Sequence, residues 1–323
     1  MLSRIAQELF WLGRNVARAE HTARMLDGVF QASLQGRPDD PAGVRLGWGS
    51  LLAIMGAQAD GRPVRRDEVL NRLTLTRDEP ASVISCVSRA REGARTMRDV
   101  ISAEMWEAVN TTHLALSAGD LEGRMQMGPY SVFQYVKERS ALFWGLTSRT
   151  MLRDEARAFL VAGGRIESAD MVLRMLRVAM PSPGEQAEGT DGVRDGQALA
   201  LLQAVGGFQA FRRAVPAPPN AGPVARFLLY ERAYPDSVAA SVDAVHGALV
   251  DVDAAPRSSE PVLRLSRLAA DLEFRGRAAA EDGNLAEASS LVQSELALID
   301  ADIAERYFAG AGAAGGWDRY LVA

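Results

Sequence analysis

The sequence is poor in cysteine, histidine and lysine, and this restricts its chemistry. Its single cysteine, Cys86, excludes an intramolecular disulfide. Cys86 lies in an apolar run, which predicts a small buried residue rather than a nucleophile. The three histidines, His21, His113 and His246, stand far apart and lack metal-ligand spacing, so no metal site is expected. Lys137 is the only lysine among 36 lysines and arginines, so arginine carries the basic chemistry.

The sequence also lacks an excess of basic residues, long apolar runs and nucleotide-binding motifs. Its formal net charge of -5 argues against nonspecific nucleic-acid binding. No apolar run approaches the about 18 residues of a membrane span, and no secretory signal opens the chain, so we expect a cytoplasmic protein away from the membrane. A literal G-x-G-x-x-G match at 310–315 follows a helical pattern rather than a strand, which predicts a linker, and no cofactor is expected.

Helical periodicity is what the sequence does contain. With 48% apolar residues it can build a sizeable core, and apolar residues between Ile5 and Leu26 recur at three- and four-residue steps, typical of an amphipathic helix. The absence of alternating strand patterns favours an all-α fold. Further helices are predicted at 48–59, 80–100, 103–116, 130–149, 154–176, 197–213, 223–229, 235–252, 260–281 and 285–308.

An internal repeat organises these helices. Shifting the chain so that Gly13 meets Gly163 also aligns Arg24-Met25-Leu26 with Arg174-Met175-Leu176. A slightly larger shift aligns 73–83 with 228–238, in the same order along the chain. We therefore predict a helical bundle of two diverged copies, 1–150 and 151–323, packed as one compact unit with a cleft at the seam between them.

One candidate site lies on the first helix. Arg14, Arg18 and His21 fall at i, i+4 and i+7 along one side. Like charges at that spacing repel unless an anion or an acidic partner lies between them. The pattern therefore indicates either a phosphate or carboxylate site or a solvated face balanced by Glu20 or another helix.

A second candidate is the dipeptide Glu138–Arg139, inside an otherwise apolar helical segment. Adjacent helix positions diverge by about 100°, and Leu142 and Phe143 follow the pair at four-residue steps. At least one of the two should lean toward apolar neighbours and need a partner there. The alternatives are a buried structural ion pair and a polar site lined by both residues.

Arg149 and Arg153 repeat the i, i+4 spacing and are followed by Asp154 and Glu155. This pattern is typical of a second anion-binding strip or of salt bridges on a helix surface, and the adjacent acids favour salt bridges.

These residues carry a resemblance to the bacterial alpha-E domain family, which is helical with a characteristic Glu-Arg motif. The resemblance covers nearly the whole chain. Members of that family are genetic neighbours or fusion partners of circularly permuted ATP-grasp proteins and transglutaminase-like proteases. The resemblance therefore implies that this chain has a role in making or modifying a peptide. The sequence departs from the family pattern at Ala17, where an acid is expected, and at Gly164 and Ser168, where arginines are expected. The matching segments are 1–4, 10–14, 18–20, 89–95, 102–106, 137–145 and 150–155.

Three functional hypotheses follow. In the first, the chain is an accessory or substrate-presenting partner of an ATP-grasp amide or peptide ligase, and a transglutaminase-like protease is a second partner. In the second, it is itself an acyl- or peptide-transferring enzyme, with Glu138 as general base and Arg139 beside it. In the third, it is a non-catalytic helical scaffold. The residues predicted to bind an anionic small molecule or peptide are Arg14, Arg18, Glu104, Arg149 and Arg153.

Overall fold

The computed structural model describes residues 1–34, 46–57, 64–118, 121–179, 191–278 and 285–309. Within these ranges the chain is all-α and contains no strand, which confirms the predicted fold class. The first helices are α1 (Ser3–Leu34), α2 (Trp48–Ile54), α3 (Arg66–Leu75), α4 (Val83–Thr96), α5 (Ala103–Ser117), α6 (Leu121–Met127) and α7 (Tyr130–Thr150). They are followed by α8 (Glu155–Ala179), α9 (Asp191–Ala204), α10 (Phe208–Ala214), α11 (Ala221–Tyr230), α12 (Val238–Val252), α13 (Glu260–Arg277) and α14 (Leu285–Phe308).

Helices α1 and α8 form the centre of the molecule and cross at two glycines. A Cβ added to Gly13 would lie 2.0 Å from the carbonyl oxygen of Leu160, and one added to Gly163 would lie 2.0 Å from that of Phe10. The contact is reciprocal, because each glycine rests on the carbonyl of the residue three positions before the other. Neither glycine interrupts its helix. Both positions require glycine, because a side chain would prevent the close approach of the two backbones.

Each central helix carries a similar set of neighbours. α4 packs on α1 and α12 packs on α8, while α5 and α7 extend the first group and α13 and α14 the second. The side chains of Ser82, Ser102 and Ser237 cap α4, α5 and α12, each accepting a hydrogen bond from the backbone N–H three residues on. The buried apolar residues of both groups form one continuous core.

The prediction of one continuous helix over 197–213 is wrong, because a glycine in the left-handed conformation separates α9 from α10. Gly206 has φ +74°, and the N–H of Gly207 reaches back to the carbonyl of Leu202 at 2.9 Å, which closes α9. Gly56, with φ +72°, lies beyond the end of α2 in the same way, with the Ala57 N–H 2.9 Å from the carbonyl of Leu52.

The predicted boundary between the two units falls between Thr150, which ends α7, and Glu155, which begins α8. That boundary stays a prediction. The linker predicted at 310–315 and the remainder of the second unit to 323 lie outside the described residues. In the part of the chain that the structure describes, no helix combines the length and the apolarity needed to cross a bilayer.

Candidate functional site

Arg14 and Arg18 meet an acidic partner from α8. Nε of Arg14 lies 3.0 Å from Oε2 of Glu167, and Arg18 donates from Nε at 2.5 Å to Oε1 and from Nη2 at 2.8 Å to Oε2. Nη1 of Arg14 also donates to Asp300 of α14 at 2.7 Å. We call these four side chains the ion cluster. Glu167 is only 2% exposed, so the cluster is not the solvated face that was one alternative for Arg14 and Arg18.

All four members of the ion cluster act as charged groups that neutralise one another. Burial would raise the pKa of Glu167, but Arg18 and Arg14 hold it well below its usual range. Burial would likewise lower the pKa of Arg14, but Asp300 and Glu167 raise it. Two cations therefore face two carboxylates, which leaves no net positive charge for an external anion at this position.

Glu138 and Arg139 do not form a shared inward site. Glu138 is exposed, and its side chain accepts a hydrogen bond from Gln134 at 2.9 Å. Val136 is buried and faces the core, and a residue two positions later is rotated by about 200°. Arg139 is half-buried and donates to α5, to the hydroxyl of Thr112 and the carbonyl of Ala108, both at 3.0 Å. Arg139 therefore has the partner that was expected of at least one of the two residues. The structure does not bring Glu138 and Arg139 together, either as a buried ion pair or as a shared polar site. Their predicted catalytic role stays a prediction.

The other predicted residues do not join the ion cluster. Glu104, Arg149 and Arg153 are all exposed, and none of them forms an ion pair with a described residue. Glu155 pairs instead with the amino group of Met1 at 2.6 Å. The salt-bridge strip favoured for Arg149 and Arg153 is therefore not formed within the described ranges.

A cavity of about 360 Å³ opens between α1, α7 and α8. This α1–α8 cavity has the size of a small-molecule pocket. Trp144 and Val161 supply apolar wall. Its polar lining includes Glu20, His21, Arg157, Arg165, Ser168 and Asp236.

The cavity exists because three of its lining residues are small. In the register that pairs Gly13 with Gly163, the cluster members Arg14, Arg18 and Glu167 correspond to Gly164, Ser168 and Ala17, all of which line the cavity. Trp144 occupies part of the space, since a Cβ on Gly164 would lie 2.4 Å from its ring. The large ionic side chains fill the space at the ion cluster, whereas the small residues at the corresponding positions leave the α1–α8 cavity open.

The charged groups of the cavity are paired, with one exception. Arg165 donates to Asp236 at 3.2 Å, and Glu20 accepts from Arg24 at 2.7 Å. Arg157 forms no ion pair with a described residue, and its buried Nε has no hydrogen-bond partner among them. The described lining therefore carries one guanidinium that is not neutralised.

His21 and Ser168 form a hydrogen-bonded pair in the cavity wall. Nε2 of His21 lies 3.1 Å from Oγ of Ser168, and the two residues are 5% and 7% exposed. Nδ1 of His21 is buried and has no hydrogen-bond partner among the described residues. The hydroxyl and the imidazole thus lie together in the cavity wall, whereas Arg157, eleven residues before Ser168 on α8, lies about 16 Å away along the helix axis.

The remaining histidines and the cysteine lie elsewhere. Nε2 of His113 is 3.4 Å from Oγ of Ser117 within α5, and Nε2 of His246 is 2.8 Å from Oγ of Ser266 on α13. Cys86 is fully buried, and burial raises the pKa of its thiol. A buried, protonated thiol is a poor nucleophile, which agrees with the reading of Cys86 from the sequence.

Sequence reasoning missed Glu167, Arg157 and Asp300. No sequence pattern marks Glu167, because α8 carries seven charged residues spread around its axis, and which of them is buried depends on how the helix packs. Arg157 offers no signal either, because it is distinguished by the lack of a partner and not by a pattern in the sequence.

The helices, the ion cluster and the cavity define a class: an all-α protein with a buried ionic centre beside a small polar cavity. The chain belongs to the Alpha-E family, described as a predicted alpha-helical domain with a conserved ER motif, whose sequence model matches residues 1–308. This confirms the resemblance found in the sequence. No curated protein and no solved structure matches the chain.

Proposed function

We propose that this protein is a non-catalytic partner of an ATP-grasp amide or peptide ligase and presents an anionic small molecule or peptide to it. The carboxylate or phosphate of that molecule would bind in the α1–α8 cavity. The partner class comes from the associations of the family that the sequence resembles. The binding mode comes from one observation, the unpaired guanidinium of Arg157 in the cavity wall.

The chemistry of Arg157 supports an anionic ligand. The Nε–H of Arg157 is a buried donor without a partner among the described residues. Such a donor costs about 1–3 kcal/mol, and a bound carboxylate or phosphate would remove that cost through charge-assisted hydrogen bonds. The hydroxyl of Ser168 and the imidazole of His21 line the same cavity and add hydrogen-bonding capacity. The neighbouring acids do not oppose this, since Glu20 and Asp236 are each paired with an arginine.

The exposed Glu104, Arg149 and Arg153 fit contacts with a partner protein better than binding of a buried anion. Exposed ionic groups contribute little to affinity but steer association. We therefore assign these three residues to partner contacts, with the ATP-grasp ligase first and a transglutaminase-like protease second.

We also infer that the two halves are diverged copies of one helical unit. The reciprocal Gly13–Leu160 and Gly163–Phe10 contacts support this. So do the left-handed glycines at 56 and 206 and the capping serines at 82 and 237. Loss of two large arginines in the second copy would then have opened the cavity.

Calorimetry with inorganic phosphate and with a short peptide bearing a free carboxylate tests the binding step. Arg157→Met should weaken binding at least about tenfold, as expected for loss of a charge-assisted contact. Arg149→Met, which removes an exposed arginine, is the matched control and should bind like the wild type. Thermal unfolding of both variants shows that the fold is intact.

Co-purification with an ATP-grasp ligase of the kind that the resemblance implies, followed by measurement of the ligase rate with and without this chain, tests the partner. A complex that forms without anion binding would favour the scaffold hypothesis, and turnover by the chain alone would favour the enzyme hypothesis. If phosphate and peptide bind wild type and R157M equally and no complex forms, the proposal is wrong.

A further inference from the structure

The pair His21–Ser168 has the geometry of a nucleophile beside its base. We infer that Ser168 accepts an acyl group from a small activated acyl donor that enters the α1–α8 cavity, with His21 as general base. The inference goes beyond the proposed function and does not depend on Arg157, which lies eleven residues before Ser168 on α8, about 16 Å along the helix axis.

The distance between the two side chains suits proton transfer. Oγ of Ser168 and Nε2 of His21 are 3.1 Å apart, within the reach of about 2.6–3.2 Å that general base catalysis requires. The residues come from α1 and α8, eight residues after Gly13 and five residues after Gly163, at which the two helices cross. The close backbone contact at those glycines therefore fixes the two helices that carry the pair.

The surroundings distinguish this pair from the other histidine–serine contacts. His113 and Ser117 lie on the same helix, and the contact between His246 and Ser266 is exposed. Of the three histidines, all of which lie within the described residues, only His21 lines the α1–α8 cavity, and its partner Ser168 lines it too. An activated acyl donor that enters the cavity therefore meets the hydroxyl and the imidazole together.

The step balances without a cofactor. Oγ of Ser168 forms a bond to the carbonyl carbon of an acyl phosphate or activated ester, and its proton passes to Nε2 of His21. The bond between that carbon and the leaving oxygen breaks, and the leaving group takes the electron pair and then the proton. His21 must carry its other proton on Nδ1, where no described carboxylate orients the ring. We therefore expect slow acylation in a single turnover and not the rate of a complete triad.

Acetyl phosphate is the probe, and intact mass with peptide mapping is the measurement. Wild type should gain one acetyl group on the peptide that contains Ser168, as an ester that hydroxylamine removes. Ser168→Ala should abolish this product, Ser168→Cys should restore it as a thioester, and His21→Gln should slow it about 10²-fold or more. The surface control Ser266→Ala should react like wild type. Background is limited by composition, since Lys137 is the only lysine and its amide would resist hydroxylamine.

Phosphate calorimetry beside the acetylation assay separates the two proposals. Acetylation that requires both Ser168 and His21 supports the acceptor role whether or not phosphate binds through Arg157. If phosphate binds through Arg157 but no hydroxylamine-sensitive acetyl group appears on Ser168, the acceptor role is overturned and the binding role stands. The same acetylation rate in H21Q and wild type would also overturn it.

Discussion

Arg18 of α1 and Glu167 of α8 form a bidentate ion pair across the centre of the molecule, with contacts of 2.5 and 2.8 Å. In the register that pairs Gly13 with Gly163, Ala17 stands where Glu167 would be and Ser168 where Arg18 would be. The acid therefore comes from one half and the base from the other. Each half supplies a buried charge that only the other can neutralise, so that neither is expected to be stable alone.

Removing the central carboxylate should destabilise the fold. Glu167→Leu leaves three charges in the ion cluster, two of them cations, and loss of one partner from a buried pair costs about 3–5 kcal/mol. The addition of Arg18→Met leaves Arg14 paired with Asp300 and restores the charge balance. Urea unfolding should therefore give a larger loss for the single variant than for the double variant.

Glu138→Ala is the matched control for that series, because it also removes a glutamate from a helix but at an exposed position. Its free energy of unfolding should stay within about 0.5 kcal/mol of wild type. A double variant less stable than Glu167→Leu, or a collapse of Glu138→Ala, would contradict the assignment of the buried charge.

Acid should weaken the fold through two carboxylates. Burial would raise the pKa of Glu167, but Arg18 and Arg14 keep it low, and at Asp253 the hydrogen bond from Arg306 lowers the pKa most. Unfolded carboxylates bind protons near about pH 4, and these folded ones bind them only at lower pH. The unfolded state therefore takes up more protons as the pH falls, and stability present above about pH 5 is lost below it.

Urea unfolding between neutral pH and about pH 3 measures this loss. Asp253→Asn should start from a lower stability, because it weakens the bidentate contact with Arg306 at 2.6 and 2.7 Å. Its stability should also fall less steeply with acid. A slope equal to that of wild type would show that Asp253 keeps an ordinary pKa.

Tyr307 should ionise late in an alkaline titration. Burial, and then the hydrogen bond to Asp253, raise its pKa to about 12. Since the folded pKa exceeds the unfolded value of about 10, the stabilisation is present below that value and is lost as the pH rises through the folded one. Burial also raises the pKa of Tyr234, so the late part of the tyrosinate absorbance should lose the amplitude of one tyrosine in Tyr307→Phe and not vanish. A Tyr307→Phe titration identical to that of wild type would contradict this.

Elements with unbroken periodicity could be predicted from the sequence, and those decided by single backbone positions could not. The predicted helix 285–308 matches α14 at both ends. The prediction of 197–213 failed because Gly206 adopts a left-handed conformation, which a glycine permits but does not require. The sequence reading omitted α3, since its short apolar pattern, Val69, Leu70 and Leu73, is interrupted by charges.

At the site, the sequence predicted that the two arginines need a negatively charged partner, but it did not identify that partner. The spacing of Arg14 and Arg18 required an anion or an acid, and that acid is Glu167, from a distant helix. Helical periodicity could not say which way Glu138 faces, because that depends on which stripe of α7 packs inward. The cavity could not be predicted in detail, since it results from the small side chains at Ala17, Gly164 and Ser168 and from how three helices pack around them.

The crossing of α1 and α8 predicts that a glycine-to-alanine substitution stabilises the protein at some positions and destabilises it at another. Gly145 on α7 and Gly247 on α12 have nothing within 4 Å of an added Cβ. Alanine at either should stabilise the protein by about 0.4–1 kcal/mol, because it restricts the unfolded chain. At Gly163 the added Cβ would lie 2.0 Å from the backbone oxygen of Phe10, an atom that cannot move without separating the two helices. Gly163→Ala should therefore cost about 1–3 kcal/mol or more. Because helix propensity favours alanine equally at all three sites, thermal unfolding that ranks Gly163→Ala with the other two would mean that α1 and α8 do not touch at this glycine.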